Sequence, residues 1–364
     1  MLKSWLAKAA LIYLSTSLTL GAFDLVIYLF PRDLLPLPFR KLTQMMEINS
    51  HRYYARDPKI GYVIRPGTDF FFLGEEFSFR LQTRLNFPNA GFRGGTLGGP
   101  AWGAAFGDSF TFGAGVDQEA TWVARLSQLT QHEIINFGMP GHGPHQYTRI
   151  FQEYGAPLRP KLVFYALFTN DLRDGVRFES PPAERKPKMS LKRFMKRYSA
   201  SYNVFRNVSR SLKKTRTTET QDDIGLQLPE RRLRNPYGVL DGRFASAWAA
   251  SARQIEDAIE ESKRIDATFV LLYFPSKEEV YWELARERIK PIDGFEERIG
   301  RFTRHVLEFC ASRDLLCLDL TAALKTRGLR GEKFYYPVDI HWNQQGNAVV
   351  AQEIYKFLVE KKLI

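Results

Sequence analysis

The stretch AAFGDSFTFGAG, residues 104–115, places Ser109 between a short apolar run and a segment with helical character. We predict a buried strand in the apolar run, residues 101–106, because it ends at the turn-forming Gly107. Glycine lets the backbone bend tightly, and the first amides of a following helix would point at the serine. The stretch therefore predicts a strand–turn–helix unit with Ser109 in its turn. Helix capping alone also explains an isolated Gly-Asp-Ser turn, so a catalytic role needs partners elsewhere in the chain.

Strands alternate with helices from this point to the C-terminus. Four further apolar strands are predicted in EIINFGM, KLVFYALF, ATFVLLYF and LLCLDL, with amphipathic helices between them. Such alternation is typical of an α/β fold, in which one parallel sheet carries helices on both faces. We therefore predict a domain over residues 99–364 with about five parallel strands. Reactive groups of such sheets collect at the carboxyl ends of the strands.

The composition is that of an ordinary globular protein. The chain has 364 residues, of which 44% are hydrophobic and 25% charged, and its formal net charge is +12. The excess is local, because residues 185–216 contain twelve Lys or Arg and no Asp or Glu. We predict a basic insertion over 176–235, whose charges form a solvated face or meet anionic lipid or an acidic polymer. Nucleic acid is not expected as a partner, because the chain is predicted to be exported.

The N-terminal segment predicts a transmembrane anchor. Lys3 and Lys8 precede an apolar run, residues 10–31, in which Asp24 is the one charged residue. The run is long enough to span a bilayer if Asp24 lies near the far interface, and the basic residues place the N-terminus in the cytoplasm. A cleaved signal peptide with its apolar core at 9–22 is the alternative, although a good cleavage site is missing. A buried core helix is a third interpretation.

Residues 34–98 are predicted to form an aromatic-rich lead-in between the anchor, residues 1–33, and the catalytic domain. The stretch TDFFFLGEEFSFRLQTRLNF, residues 68–87, alternates with period two and predicts a hairpin or small sheet. The chain also contains two cysteines, Cys310 and Cys317. We interpret them as small buried apolar residues. A single disulfide is the alternative, which an exported location would permit.

Four polar motifs fall at predicted strand ends or before a helix. Ser109 follows the first strand, the glycine-rich stretch NFGMPGHG follows the second, and Asn170 follows the third. Asp339 and His341 precede the last helix. A serine needs an adjacent base to act as a nucleophile, imidazole suits that task, and the oxyanion needs hydrogen-bond donors. Each motif alone is explained equally well by a structural role as a helix cap, a turn or a surface loop. Their joint occurrence in this order indicates acyl-transfer chemistry.

The combination resembles the SGNH (GDSL-type) hydrolase superfamily over about residues 88–360. That resemblance implies a flavodoxin-like α/β fold and a triad of Ser109, His341 and Asp339. It also implies an oxyanion hole formed by the Ser109 and Gly141 amides and the Asn170 side chain. Phe168 stands where the third motif of the family usually begins with glycine, which affects the shape of the pocket rather than the reacting groups.

The last motif is similar to a subgroup of the superfamily. The spacing Asp339-Ile340-His341-Trp342 resembles the D-x-H-W version found in membrane-anchored proteins related to alginate and exopolysaccharide O-acetylation enzymes, and Pro275-Ser276-Lys277 resembles the same group. Together with the predicted anchor, the resemblance favours a carbohydrate substrate, and free lipid or small esters are the alternatives. It also suggests a membrane protein as acyl donor.

Four further residues are candidates for substrate binding: His142, His145, Arg173 and Lys277. His142 and His145 form an H-x-x-H pair within the second motif, but a third ligand is not evident, so we expect no metal and no cofactor. Arg173 is explained equally well by a surface ion pair, and Lys277 by a contact with an anionic sugar or with a structural carboxylate.

These observations predict an extracytoplasmic serine esterase or O-acyltransferase that acts on a carbohydrate. The transferred group is expected to be acetyl, and the reaction is expected to pass through an acyl-serine intermediate. The expected location is the bacterial inner membrane, with a single span and the catalytic domain in the periplasm or outside the cell. The alternative is a non-catalytic scaffold of this fold in a polysaccharide assembly. A lipid-surface protein acting through the basic insertion is a third hypothesis.

Overall fold

The computed structural model describes residues 2–29, 53–73, 76–94, 101–172, 191–214, 225–228, 241–286 and 298–364. The described α-helices, in chain order, are α1 (Leu2–Leu29), α2 (Ser109–Phe112), α3 (Trp122–Thr130), α4 (Pro144–Ile150), α5 (Leu191–Tyr198), α6 (Ala200–Lys214), α7 (Asp241–Arg264), α8 (Lys277–Ala285), α9 (Arg301–Ala311), α10 (Thr321–Gly328) and α11 (Gln344–Glu360). The described strands are β1 (Tyr54–Asp57), β2 (Gly61–Ile64), β3 (Asp69–Leu73), β4 (Ser78–Gln82), β5 (Leu85–Asn86), β6 (Gly91–Phe92), β7 (Gly103–Phe106), β8 (Ile134–Asn136), β9 (Leu162–Phe168), β10 (Thr268–Phe274) and β11 (Leu316–Asp319).

The chain divides into two compact units. The smaller unit comprises the described residues of Met1–Tyr54, Phe72–Gly74 and Ala183–Thr218. The larger unit comprises those of Ala55–Phe71, Glu75–Pro182 and Glu219–Ile364. The larger unit contains the sheet and every motif predicted to carry chemistry.

A five-stranded parallel sheet forms the centre of the larger unit. Its order is β11-β10-β9-β7-β8, and each neighbouring pair is parallel. Counted from β7, this is the 2-1-3-4-5 order of doubly wound folds, in which ligands bind where the strand order reverses. The reversal lies between β7 and β9. The predicted α/β fold with five parallel strands is confirmed.

Helices cover both faces of this sheet, as β9 shows most clearly. All seven of its residues are buried, which is expected of a parallel strand packed on two sides. Phe164 belongs to the core cluster that contains Trp122 of α3 and Ile354 of α11. Tyr165 points to the other face, where its ring lies 5.6 Å from that of Tyr147 in α4.

The lead-in contains two small sheets. One has the order β1-β2-β6-β5, and the other pairs β3 with β4. The second sheet lies within the period-two stretch in which a hairpin or small sheet was predicted. Asp69 of β3 accepts a hydrogen bond of 2.7 Å from the guanidinium of Arg80 in β4, which ties the two strands together.

The smaller unit contains α1 together with α5 and α6, which come from the basic insertion predicted at 176–235. Residues 225–228 of that insertion are also described and belong to the larger unit. Across the described ranges, no helix is both long and apolar enough to cross a membrane. The predicted transmembrane helix is therefore not supported. Asp24 was expected near a membrane interface, but its carboxylate accepts hydrogen bonds of 2.8 and 3.1 Å from the backbone and hydroxyl of Ser201 in α6.

A disulfide joins Cys310 of α9 to Cys317 of β11, with the two Cα atoms 6.2 Å apart. The interpretation of these residues as unbonded apolar side chains is wrong. After α9 the chain reverses through a short turn, in which the amide of Leu315 donates to the carbonyl of Cys310 at 3.1 Å. This reversal brings the two sulfur atoms together, and the alternative prediction of a single disulfide is confirmed.

Candidate active site

Ser109 begins α2 directly after β7. The carboxylate of Asp108 caps this helix by accepting the amide of Phe110 at 2.8 Å, so capping does not require the serine hydroxyl. Gly107 is needed at this turn, because a Cβ there would lie 2.2 Å from the hydroxyl of Thr111. The side chain of Ser109 is left available for chemistry at the end of the strand.

Ser109, His341 and Asp339 form a hydrogen-bonded relay. The Ser109 Oγ lies 2.7 Å from His341 Nε2, and Asp339 Oδ1 lies 2.6 Å from His341 Nδ1. The same Asp339 oxygen accepts the backbone amide of His341 at 2.9 Å. With Nδ1 held as a donor to the carboxylate, Nε2 can accept the serine proton, which is the arrangement of a serine hydrolase.

The carboxylate of Asp339 is kept ionised by its partners. Burial by itself raises the pKa of this group, but the hydrogen bonds and charge of His341, with a smaller effect from the Lys277 ammonium, hold the pKa below its ordinary value. An ionised carboxylate stabilises the imidazolium that forms when His341 takes the serine proton.

Lys277 supports the loop that carries Asp339 and His341. It is fully buried, and its ammonium donates to the carbonyls of Tyr336 at 2.8 Å and Pro337 at 3.0 Å. These bonds give the buried Lys277 a structural role in shaping the loop. The predicted contact of Lys277 with substrate stays a prediction.

Trp342 connects this loop to the helix of the nucleophile. Its ring is buried and meets that of Phe110, the residue after Ser109, edge-on at 4.9 Å. It also packs on Phe274 at the end of β10 at 4.7 Å. The tryptophan of the D-x-H-W motif therefore packs the loop that carries His341 against α2.

The second motif lies against the same helix. The side-chain amide of Asn136 donates to the carbonyl of Thr111 at 2.8 Å. Gly141 adopts a φ of +75°, and a Cβ there would lie 2.7 Å from the hydroxyl of Tyr62. Both constraints favour glycine at this position. The role of its amide in an oxyanion hole stays a prediction.

The third motif follows β9, the neighbour of β7. Asn170 is 8% exposed. The next residue, Asp171, fixes the turn by accepting the amide of Phe168 at 2.9 Å and the hydroxyl of Tyr147 at 2.8 Å. The turn is thus rigid and lies beside the turn of Ser109 at the same sheet edge, as an oxyanion donor requires. That role for Asn170 also stays a prediction.

The remaining substrate-binding candidates are His142, His145 and Arg173. His142 is fully buried against the ring of Tyr62, and burial lowers its pKa to about 3, so it is a neutral core residue rather than a substrate ligand. His145 is half-buried within α4, and its substrate contact stays a prediction. Arg173 lies outside the described residues. Among those residues there is also no group of His, Cys, Asp and Glu suited to a metal ion.

Two residues of the lead-in were missed by the sequence reasoning. Arg93 is buried and donates to the carbonyls of Phe112 at 2.9 Å and Gly113 at 2.6 Å, where α2 ends. Burial lowers its pKa to about 9, so it stays charged at neutral pH. Glu76 accepts the backbone amides of Val338 and Asp339. Arg93 lies in the aromatic-rich lead-in and Glu76 in the stretch predicted to form a hairpin, and neither had a local signal that distinguished it.

Comparison with known proteins supports the same assignment. The model of the GDSL-like lipase/acylhydrolase family matches residues 105–349, which is well over half of the chain. No curated protein matches this chain.

Similar solved structures share little sequence with it. A G-D-S-L family lipolytic protein from Desulfitobacterium hafniense is 15% identical, with 70% of this chain and 98% of that chain covered and a TM-score of 0.40. An acetyl xylan esterase is 12% identical, with coverages of 70% and 97% and a TM-score of 0.40. A catalytic mutant of an acetylxylan esterase from Geobacillus stearothermophilus is 13% identical, with coverages of 71% and 95% and a TM-score of 0.40. These scores are too low to transfer a substrate.

The family match spans the residues that the fold brings together: Ser109 at its start, and Asp339 and His341 near its end. The relay that these residues form is the one that ester hydrolysis by a serine nucleophile requires. The chain therefore belongs to the GDSL-like lipase/acylhydrolase family and is a carboxylic ester hydrolase.

Proposed function

We propose that the chain acts on acetyl esters of a carbohydrate and forms an acetyl-Ser109 intermediate. His341 takes the proton of the Ser109 hydroxyl while Oγ attacks the ester carbonyl. As the tetrahedral intermediate collapses, the carbon–oxygen bond to the sugar breaks, and His341 gives its proton to the departing sugar oxygen. In the second half, His341 takes a proton from water or from another sugar hydroxyl while the oxygen of that acceptor attacks the acetyl carbon. As the bond from the acetyl carbon to Ser109 Oγ breaks, His341 gives this proton to Oγ and restores the serine hydroxyl.

The contact that carries this proposal is the 2.7 Å separation between Ser109 Oγ and His341 Nε2. Amides at the first turn of α2 and at Gly141, together with the Asn170 side chain, supply the oxyanion donors in the proposal. Losing one such donor typically slows acyl transfer on the order of 100- to 1000-fold. A carbohydrate substrate is supported by the resemblance of Asp339-Ile340-His341-Trp342 to the polysaccharide-related subgroup.

We also propose that the enzyme works outside the cytoplasm. The disulfide between Cys310 and Cys317 supports this location, because disulfides persist in oxidising compartments and are rare in the cytosol. If a sugar hydroxyl is the acceptor, the acetyl donor is a separate molecule delivered to that compartment.

The test uses the full chain with p-nitrophenyl acetate, alone and with an unacetylated oligosaccharide as acceptor, and with acetylated xylo-oligosaccharide as substrate. We expect turnover and, after an acid quench, a mass increase of one acetyl group on Ser109. Free acetate as the product identifies an esterase, and acetylated oligosaccharide identifies a transferase. Ser109→Ala abolishes turnover and adduct, whereas Ser312→Ala, an exposed serine on α9's C-terminal side, preserves both. A wild-type chain without turnover or adduct contradicts the proposal and favours the non-catalytic alternative.

A further inference from the structure

The loop at residues 336–341 carries the acid and base of the relay but has little regular structure. Within the described residues, this loop is held by side chains, by a turn and by the backbone amide of Gln227, which donates to the carbonyl of Pro337 at 2.7 Å. Lys277 donates to the carbonyls of Tyr336 and Pro337, and the amide of Tyr336 donates to the carbonyl of His341 at 3.1 Å. Buried backbone groups must be paired, so these bonds determine where the loop can lie.

The next two amides of the loop meet a single carboxylate. Glu76 accepts the amide of Val338 on Oε1 at 2.7 Å and the amide of Asp339 on Oε2 at 2.6 Å. The two carboxylate oxygens of Glu76 thus accept hydrogen bonds from two successive amides. Charge-assisted hydrogen bonds of this kind are stronger and more directional than neutral ones. A cation therefore holds the carbonyl side of the loop, and an anion holds its amide side.

The carboxylate that accepts these two amides belongs to the lead-in rather than to the catalytic domain. Glu76 lies between β3 and β4, and the ring of the following residue, Phe77, packs 4.7 Å from that of Tyr336. The hydroxyl of Tyr336 donates to the carbonyl of Gly115 at 2.7 Å, just beyond α2. Glu76 and Phe77 consequently contact the loop at residues 336–341 at two adjacent points. Tyr336 of that loop in turn contacts the segment that follows α2.

We propose that Glu76 is a positioning residue for the ester chemistry, fixing the backbone of Asp339 so that its side chain can orient His341 toward Ser109. The inference rests on the acyl-serine chemistry proposed above and is independent of the substrate. Glu76 accepts only backbone amides of the loop in this role and does not touch the reacting atoms. Its removal should therefore change catalysis more than substrate affinity.

Glu76→Gln tests the two hydrogen bonds that the carboxylate accepts, with little change in the size of the side chain. A glutamine has one acceptor oxygen, so one loop amide would face the side-chain NH2, donor against donor. Glu76→Asp keeps two acceptor oxygens on a side chain shorter by one methylene and should restore part of the function. Glu76 is half-buried in a connection between strands, so both variants are expected to fold.

The matched control is Asp69→Asn, which neutralises another lead-in carboxylate. Asp69 pairs with Arg80 inside the β3–β4 sheet and is exposed. For each chain we would measure kcat and KM with p-nitrophenyl acetate, the rate of phosphonylation of Ser109 by a fluorophosphonate, the melting temperature, and the downfield NMR signal of the His341 Nδ1 proton.

For Glu76→Gln we expect kcat and the phosphonylation rate to fall on the order of 10- to 100-fold, since small misplacements of catalytic groups have effects of this size. KM should stay within about twofold because Glu76 makes no substrate contact in this role, and the Nδ1 proton signal should shift or broaden. Glu76→Asp should recover part of kcat, and Asp69→Asn should match the wild type.

Three results overturn the inference: wild-type kcat in Glu76→Gln, an equal loss in Asp69→Asn, or a loss that is accompanied by unfolding and is not relieved in Glu76→Asp. If the wild-type chain itself neither turns over the ester nor reacts with the fluorophosphonate, the proposed function fails instead, so the two failures are distinguishable.

Discussion

The hydroxyl of Ser109 and the imidazole of His341 lie within hydrogen-bond distance, 2.7 Å from Oγ to Nε2, although the residues are 232 positions apart. Ser109 follows β7, an interior strand of the sheet, and His341 lies in the loop before α11. Packing of Trp342 on Phe110 keeps the two segments together. The relay therefore depends on an aromatic contact one residue away from each reacting side chain.

Replacing Asp339 by asparagine should slow the reaction about 10³- to 10⁴-fold in kcat. The amide would favour the wrong tautomer of His341 and would not stabilise the imidazolium. Steady-state kinetics with p-nitrophenyl acetate measure the effect. Asp314→Asn serves as the control, because Asp314 is exposed and has a φ of +51°, which asparagine tolerates. An Asp339→Asn chain with near wild-type kcat would contradict the assignment of the relay.

Replacing Lys277 by methionine should lower both stability and kcat. Methionine fills a similar volume but leaves the carbonyls of Tyr336 and Pro337 without their charged donor, at a cost of about 1–3 kcal/mol. Urea unfolding and ester kinetics together check this.

The control for Lys277 is Lys325→Met, which removes a partly exposed ion pair with Glu283. Such pairs contribute about 0–1 kcal/mol. A Lys277→Met chain with unchanged stability and a raised KM would instead favour the substrate-binding role that the sequence first suggested.

Glu279 should make the protein less stable as the pH rises from about 4.5 to about 7. Burial raises the pKa of this carboxyl to about 7, although hydrogen bonds from Ser276, Thr303 and Tyr273 oppose the shift. In the unfolded chain the group titrates near 4.5, so within this window the native state holds a proton that the unfolded state has released. Raising the pH through the window therefore lowers the free energy of unfolding, by about 3 kcal/mol in total.

Unfolding of wild type and Glu279→Gln at pH 5 and pH 7.5 measures this effect. The glutamine stays neutral, so the fall in stability between the two pH values should be smaller in the variant by about that amount. Glu360→Gln, at an exposed position near the C-terminus, should keep the wild-type pH dependence. Parallel curves for Glu279→Gln and wild type would show that Glu279 is not responsible.

Removing the disulfide should destabilise the protein by about 2 kcal/mol, as expected for a short closed loop. The double variant Cys310→Ser with Cys317→Ser should melt at a lower temperature than the oxidised wild type and be insensitive to reductant. Wild type treated with reductant should approach the variant. Two free thiols in native wild type prepared without reductant would show that the bond is absent.

Local patterns in the sequence were sufficient for the sheet and for the identity of the motifs. The Gly107-Asp108-Ser109 turn is set by neighbours a few residues away, because Asp108 caps α2 and Gly107 avoids a clash with Thr111. The apolar composition of β9 likewise reports burial on both faces. Strand and helix periodicity, turn residues and the Asp339–His341 spacing are short-range features, so they are visible without coordinates.

Contacts between distant segments were decided only by the tertiary structure. A buried lysine, a half-buried glutamate or a pair of cysteines has the same local sequence pattern whichever partner it contacts. The structure directs Lys277 to loop carbonyls, Glu76 to loop amides and Cys310 to Cys317. It also buries His142, although its position beside Gly141 suggested a pocket residue. The physical reason is that a flexible side chain can reach several partners, and the packing of segments far apart in sequence selects among them.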